Sequence, residues 1–254
     1  ATMARASGWS IVEWIRLLPL IAKPPILQVS DTTTPPPERE TAERCHALLE
    51  LVETFAAVGL ENADILYLTS GEQFGRTIAP EDQLIQARLR PLYAELRKLA
   101  LGLEWPSVTR QRRTIQKHIA SLFGVDDAVA SALLRRTIAG QERFVTFELT
   151  DAAQLDETTY PAKFAGWVEV YRQLHKIALL LGRRGLIGDD AVIAIERGKE
   201  LGWFDFDSVT ALPDQAGAVD RFMALGKLAG VVRLRDSIRG ANRSLFAALA
   251  KPDA

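Results

Sequence analysis

The chain has 254 residues, with 31 Lys and Arg against 32 Asp and Glu, a formal net charge of −1 and 48% hydrophobic residues. A single cysteine, Cys45, excludes an internal disulfide framework and a multi-thiolate zinc site. The balanced charge gives no global reason to expect nucleic acid or an anionic membrane as partner. The longest apolar stretches, such as 177–181, fall far short of the ~20 residues that a spanning helix needs.

Residues 1–22 read as an N-terminal amphipathic helix. Glu13 and Arg16 interrupt its apolar face, so no secretory leader is read there. Its apolar residues Trp9, Trp14 and Leu17 find no match in the neighbouring sequence, and they form a candidate strip for docking a partner. Residues 23–38 hold Pro24, Pro25, Pro35, Pro36 and Pro37, whose nitrogens donate no hydrogen bond to helix or ladder, so this interval reads as a linker. The remainder, 39–254, is expected to be one body of helical hairpins.

Within that body the apolar period is helical. Cys45, Leu48, Val52 and Phe55 recur at steps of three and four, as do Phe164, Trp167, Tyr171, Leu174, Ala178 and Leu181. Cys45 is expected to be a small buried hydrophobe on its stripe. Ile85, Leu89, Leu92, Leu96 and Leu99 repeat the rule, with Pro91 predicted to kink that helix or restart it. The best strand signal is 143–149, an imperfect alternation with no second strand to pair with. Segment 190–201 reads as helix.

Three junctions share one pattern: Gly59-Leu60-Glu61-Asn62, Gly124-Val125-Asp126-Asp127 and Gly185-Leu186-Ile187-Gly188-Asp189. In each, glycine supplies the left-handed residue that ends a helix. The next apolar residue folds back on the last turn, and the acid or amide caps the following helix. Gly102-Leu103 begins the same way but runs into Trp105-Pro106. The three glycines lie 65 and 61 residues apart, too uneven for a consensus solenoid, so the expected fold is all-α, an irregular array or bundle of helical hairpins.

Charge is patterned. Residues 38–82 carry ten acids against three bases and 88–143 eleven bases against five acids. The alternation recurs with eight acids against two bases over 189–220 and seven bases against one acid over 221–251. Blocks of opposite sign suit helical layers facing one another within the chain or across subunits.

Chemistry-bearing motifs are sparse. His46, His118 and His175 fall on three separate helices. Glu43 and His46 form one Glu-x-x-His pair without the second copy that a di-metal bundle site needs, so no metal or other cofactor is expected. Neither a nucleophile elbow nor a phosphate-binding loop is present. Asp205-Phe206-Asp207-Ser208-Val209 matches an Asp-x-Asp-x-Val string resembling haloacid-dehalogenase-type phosphotransferases, in which paired aspartates act with Mg²⁺. The alternating strand and helix that such a site requires is absent, so Asp205 and Asp207 read better as turn and cap residues. No catalytic residue is assigned. Arg110, Arg112, Arg113 and Lys117 form a local basic face near Trp105, but the flanking acidic blocks oppose a polyanion, and no nucleic-acid partner is expected.

Segment 164–238 resembles a recurring stretch of the large A component of Tc-type insecticidal toxin complexes. The resemblance rests on Phe164-Ala165-Gly166-Trp167, on Tyr171-Arg172-Gln173-Leu174-His175-Lys176-Ile177-Ala178-Leu179-Leu180, and on Gly185-Leu186. It continues through Gly202-Trp203-Phe204-Asp205-Phe206 to Leu228 and Leu234-Arg235-Asp236. Helical patterns over 55–68 and 119–134 extend it upstream. It implies a non-enzymatic piece of the α-helical shell around a translocation channel. Such a piece belongs to a large, exported, pentameric subunit without a classical signal peptide, which accepts toxin-complex partner subunits. It implies no catalytic residue and no stable membrane insertion by this segment. The alternatives are a stand-alone, cytoplasmic helical adaptor that docks a protein partner and, more remotely, a Mg²⁺-dependent phosphotransferase acting through Asp205 and Asp207.

Overall fold

The computed structural model describes residues 9–21, 38–73, 77–102, 104–138, 140–155, 160–238 and 245–251. The chain is all-α. In order come α1 (Ile11–Leu17) with a 3-10 turn (Leu18–Leu20), α2 (Glu38–Ala57), α3 (Asn62–Thr69), α4 (Asp82–Ala100), α5 (Val108–Phe123) and α6 (Asp127–Arg135). A two-residue hairpin, β1 (Thr137–Ile138) and β2 (Gln141–Glu142), leads to α7 (Arg143–Phe147). A second 3-10 turn (Ala152–Leu155), α8 (Tyr160–Arg184), α9 (Gly188–Arg197), α10 (Ala218–Ser237) and α11 (Leu245–Leu249) follow. The expected 23–38 linker lies outside the described residues except for Glu38.

Each predicted joint is built as its glycine requires. Gly59, Gly124 and Gly185 have φ of 70°, 64° and 56°, the left-handed region where a side chain would be strained. In each, the following N–H reaches back five residues: Leu60 to Phe55, Val125 to Ala120 and Leu186 to Leu181. Trp203 bonds Gly198 in the same way across Gly202, a fourth joint of the glycine-apolar kind.

The cap residues differ from expectation. The first joint is capped at Glu61, whose N–H is held by Asp64, rather than at Asn62. Asp126 caps α6 through Val129 and also accepts the Gly188 N–H at 3.2 Å, so one carboxylate serves the starts of both α6 and α9. The neighbouring Asp189 is therefore not the cap of α9.

α8 is the mast of the fold. Phe164, Trp167, Val168, Val170, Tyr171, Leu174, Ile177, Leu180 and Leu181 are all buried on it, around most of its circumference. It packs against α3, α4 and α7, while α6 packs against α5 and α9. α10 returns to pack on α2 and α3, closing the chain on itself. At Gly226 of α10 an added Cβ would lie 2.4 Å from Leu51 Cδ1 of α2, so the absence of a side chain there permits the two helices to approach.

Segment 143–149, whose strand signal lacked a partner, is helical over 143–147, and the Arg143 guanidinium is buried there, donating to Leu133 O and Phe206 O. α4 runs through Pro91 as one helix and does not restart there, and the ring is exposed. One expectation is corrected. Cys45 is only half-buried.

Trp167 holds the centre. It is fully buried, stacked on Phe164 and edge-on to Phe147, each with centroids 5.2 Å away, and its Nε1 donates to Thr146 O at 2.8 Å. We expect Trp167→Ala to cost about 3–5 kcal/mol in urea unfolding, whereas a change at exposed Glu53 stays within about 0.5 kcal/mol.

Candidate functional site

The residues singled out by motif converge on segment 198–217, which connects α9 to α10 and lies against α3 and α8. Asp205 and Asp207 are here, and both act as joints. Asp205 Oδ1 accepts the Asp207 N–H at 2.9 Å, a local turn, and Asp207 accepts the Thr137 N–H at 3.1 Å. Arg136 grips Asp207 with Nε at 3.0 Å and Nη2 at 2.6 Å, and Lys199 reaches Asp205 at 2.9 Å. Both carboxylates thus pin the end of α6 and the small hairpin to the 203–209 turn, and both are committed to basic partners. A forked arginine–carboxylate pair of this kind is geometrically specific as well as attractive.

Farther along the same segment two cations point inward. Lys176 is 1% exposed, and its Nζ donates to Thr210 O at 2.7 Å while lying 5.0 Å from the centre of the Tyr67 ring. Arg221 is buried, with Nε on Thr69 O and Nη2 on Asp214 O at 2.5 and 2.8 Å. Burial pulls the Lys176 ammonium down to about 8, and nearby Arg221 and Arg172 add to the effect. Asp214 N–H donates to Ser70 O, and Gly71, with φ of 77°, lies where a Cβ would come 2.8 Å from Pro213 Cα. The segment is therefore laced to the ends of α3 and α10 by backbone carbonyls that both cations read.

His175 is a packed histidine. Its Nδ1 lies 3.1 Å from the Tyr67 hydroxyl and its ring stacks on Tyr171. Burial, helped by Arg88 and Lys176, pulls its pKa down to about 4, and burial likewise pushes the Tyr67 hydroxyl upward. His46 pairs with Glu50 on the surface of α2, and His118 meets the Arg88 carbonyl. Among the described residues no group of three His, Cys, Asp or Glu side chains could hold a metal ion. No described helix is long and apolar enough to cross a membrane.

The expected docking strip is occupied from within. Leu17 is fully buried in the main core, Trp14 packs on Leu48 and Val52 of α2, and Trp9 rests against Trp14 at 5.6 Å and is partly covered. α2 covers Trp14, and α10 packs on the 3-10 turn that follows α1. The residues that α1 leaves outside are instead Ile11, Val12 and Ile15, each more than half exposed, and Val12 and Ile15 border a 420 Å³ groove with Leu66, Ser70 and Gln215.

A second, 550 Å³ cleft lies between the start of α9 and the end of α10, lined by Asp126, Asp189, Asp190, Arg235 and Asp236. Arg235 binds Asp190 at 3.4 Å and the carbonyls of Arg184 and Gly185, so it ties α10 to the α8–α9 joint. Burial holds the Asp190 carboxyl above its usual range, against the pull of Arg235. Arg184 is 3% exposed, and no guanidinium nitrogen of it has a hydrogen-bond partner among the described residues.

The basic face on α5 divides in two. Arg112 turns inward to Glu148 and Glu142 at 2.6 and 2.9 Å, while Arg110, Arg113 and Lys117 stand exposed. No family model, curated protein or solved structure matches this chain.

Two outcomes follow from the charges. The unfolded chain protonates His175 at its ordinary value near 6.5 while the folded chain resists until about 4. Stability should therefore fall as pH drops through that window, by at most roughly 3 kcal/mol. The acid limb of a urea midpoint against pH should flatten in His175→Phe if that residue is the source. Asp207→Asn should lower stability by about 1–3 kcal/mol by leaving Arg136 without its forked partner, and Arg136→Met should cost no more when added to it.

Proposed function

We propose that the chain is a non-enzymatic helical scaffold and interaction module, of the kind that forms the helical shell of a Tc-type toxin A component, and that it is a fragment of such a subunit. It would act within a larger homo-oligomer, exported with that assembly, that accepts toxin-complex partner subunits. One observation carries this reading: every string behind the resemblance is spent on architecture. Trp167, Tyr171, Leu174 and Leu180 are core, Gly185-Leu186 is a helix joint, and Asp205 joins Asp207 in clamping a turn to Arg136. Lys176, the one unusual charge in the distinctive helical string, holds a carbonyl of its own chain. Such use of polar residues suits a part whose work is to keep shape while others move.

The reading is tested by the size of the native polypeptide. An antibody raised against this domain should detect, in extract and supernatant of the source cells, a band many times larger than 28.0 kDa. A band at 28.0 kDa would remove the shell reading and leave a free-standing helical adaptor.

A further inference from the structure

We infer that the outer face of α5 is a docking surface for a second copy of this chain, and that the surface it receives is the outer face of α2. α5 contains four Lys and Arg and no acid. Its exposed stripe runs Arg110, Arg113, Lys117 and Ser121 at steps of three and four, one line along the helix. Arg112 and His118 lie off that line and are bound within the chain. Arg110, Arg113 and Lys117 make no side-chain ion pair among the described residues, whereas the cations nearer the helix ends and crossings of this basic block are held within the chain: Arg135 by Glu196, Arg136 by Asp207, Arg88 by Tyr171. At the start of the stripe Trp105, Val108 and Leu101 are exposed by 41%, 54% and 65%.

The complement is on the same chain. The exposed line of α2 runs Glu43, His46, Glu50, Glu53 and Ala57, again at steps of three and four. Glu50 meets His46 of its own helix, and Glu53 meets no cation among the described residues. The two lines match in pitch when the helices run antiparallel: Arg113 then faces Glu53, Lys117 faces Glu50, and Val108 with Trp105 lies over the exposed Ala56 and Ala57. The small side chains of Ala56 and Ala57 leave room there for the larger apolar groups, and that contact supplies burial that exposed ion pairs alone lack. A polyanion would match the α5 stripe only. The acidic line on α2, of equal pitch, is what favours a second copy.

The inference rests on the reading of the chain as an associating module, but its test is independent of native size. Light-scattering mass of the full chain is measured at low and high salt for the wild type, for R113E/K117E, for E50R/E53R and for a mixture of the two variants, with circular dichroism showing each folded. We expect the wild type to exceed 28.0 kDa at low salt and to fall back at high salt. Each reversal should weaken association by about tenfold or more, and the mixture should restore it, because reversed α5 then meets reversed α2. R113Q/K117Q, which removes charge without reversing it, should fall between. A wild type that stays at 28.0 kDa at low salt overturns the inference, as does a mixture that fails to re-associate. It is overturned equally if binding of a single-stranded oligonucleotide is lost in R113E/K117E while chain mass is the same in every variant.

Discussion

The structure depends on the burial of α8 around most of its girth. A surface helix hides one stripe, but α8 hides Trp167, Val170, Tyr171, Leu174, Ile177 and Leu180 on several sides at once, so other elements must surround it. α3, α4 and α7 supply that cover. The same burial traps polar groups with the apolar ones. Lys176 is carried inside by its place on the helix and must find an acceptor there, which is the carbonyl of Thr210. The path of 203–217 across α3 and α8 follows from that need as much as from its own apolar residues Phe204, Phe206 and Val209.

Charge is the second organising force, and it is spent unevenly. The alternating blocks largely face each other inside the chain: Arg136 on Asp207, Arg135 on Glu196, Arg235 on Asp190, Arg112 on Glu148. The first three pairs join the second acidic block to the basic blocks before and after it, at places where helices end or cross. Partly buried and forked pairs of this sort fix register more than they add stability. The α5 line of Arg110, Arg113 and Lys117 stands exposed without a side-chain ion pair among the described residues.

The paired aspartates show how one short string can hold a turn. A phosphotransferase needs its two carboxylates free at a strand end to meet Mg²⁺ and substrate. Here they follow a helix, close their own turn and are gripped by Arg136 and Lys199. The spacing Asp-x-Asp suits both uses, since a short side chain two residues from a backbone N–H makes an Asx turn as readily as it makes a ligand pair. Only the neighbours distinguish them.

Helix positions, the glycine joints and the core stripes were legible in the sequence, because apolar period and the left-handed demand on glycine are local properties. Those same local rules misplaced Trp14 and Leu17 as a free strip, when Trp14 lies on Leu48 and Val52 of α2 and Leu17 in the main core. Tertiary structure alone decided that Asp126 serves two helices and that Arg221 reads the end of α3 across 152 residues of sequence. It also decided which basic residues of α5 remain outside. Polar partners so far apart along the chain leave no period behind them, since a single hydrogen bond needs one donor and one acceptor and says nothing about the residues between.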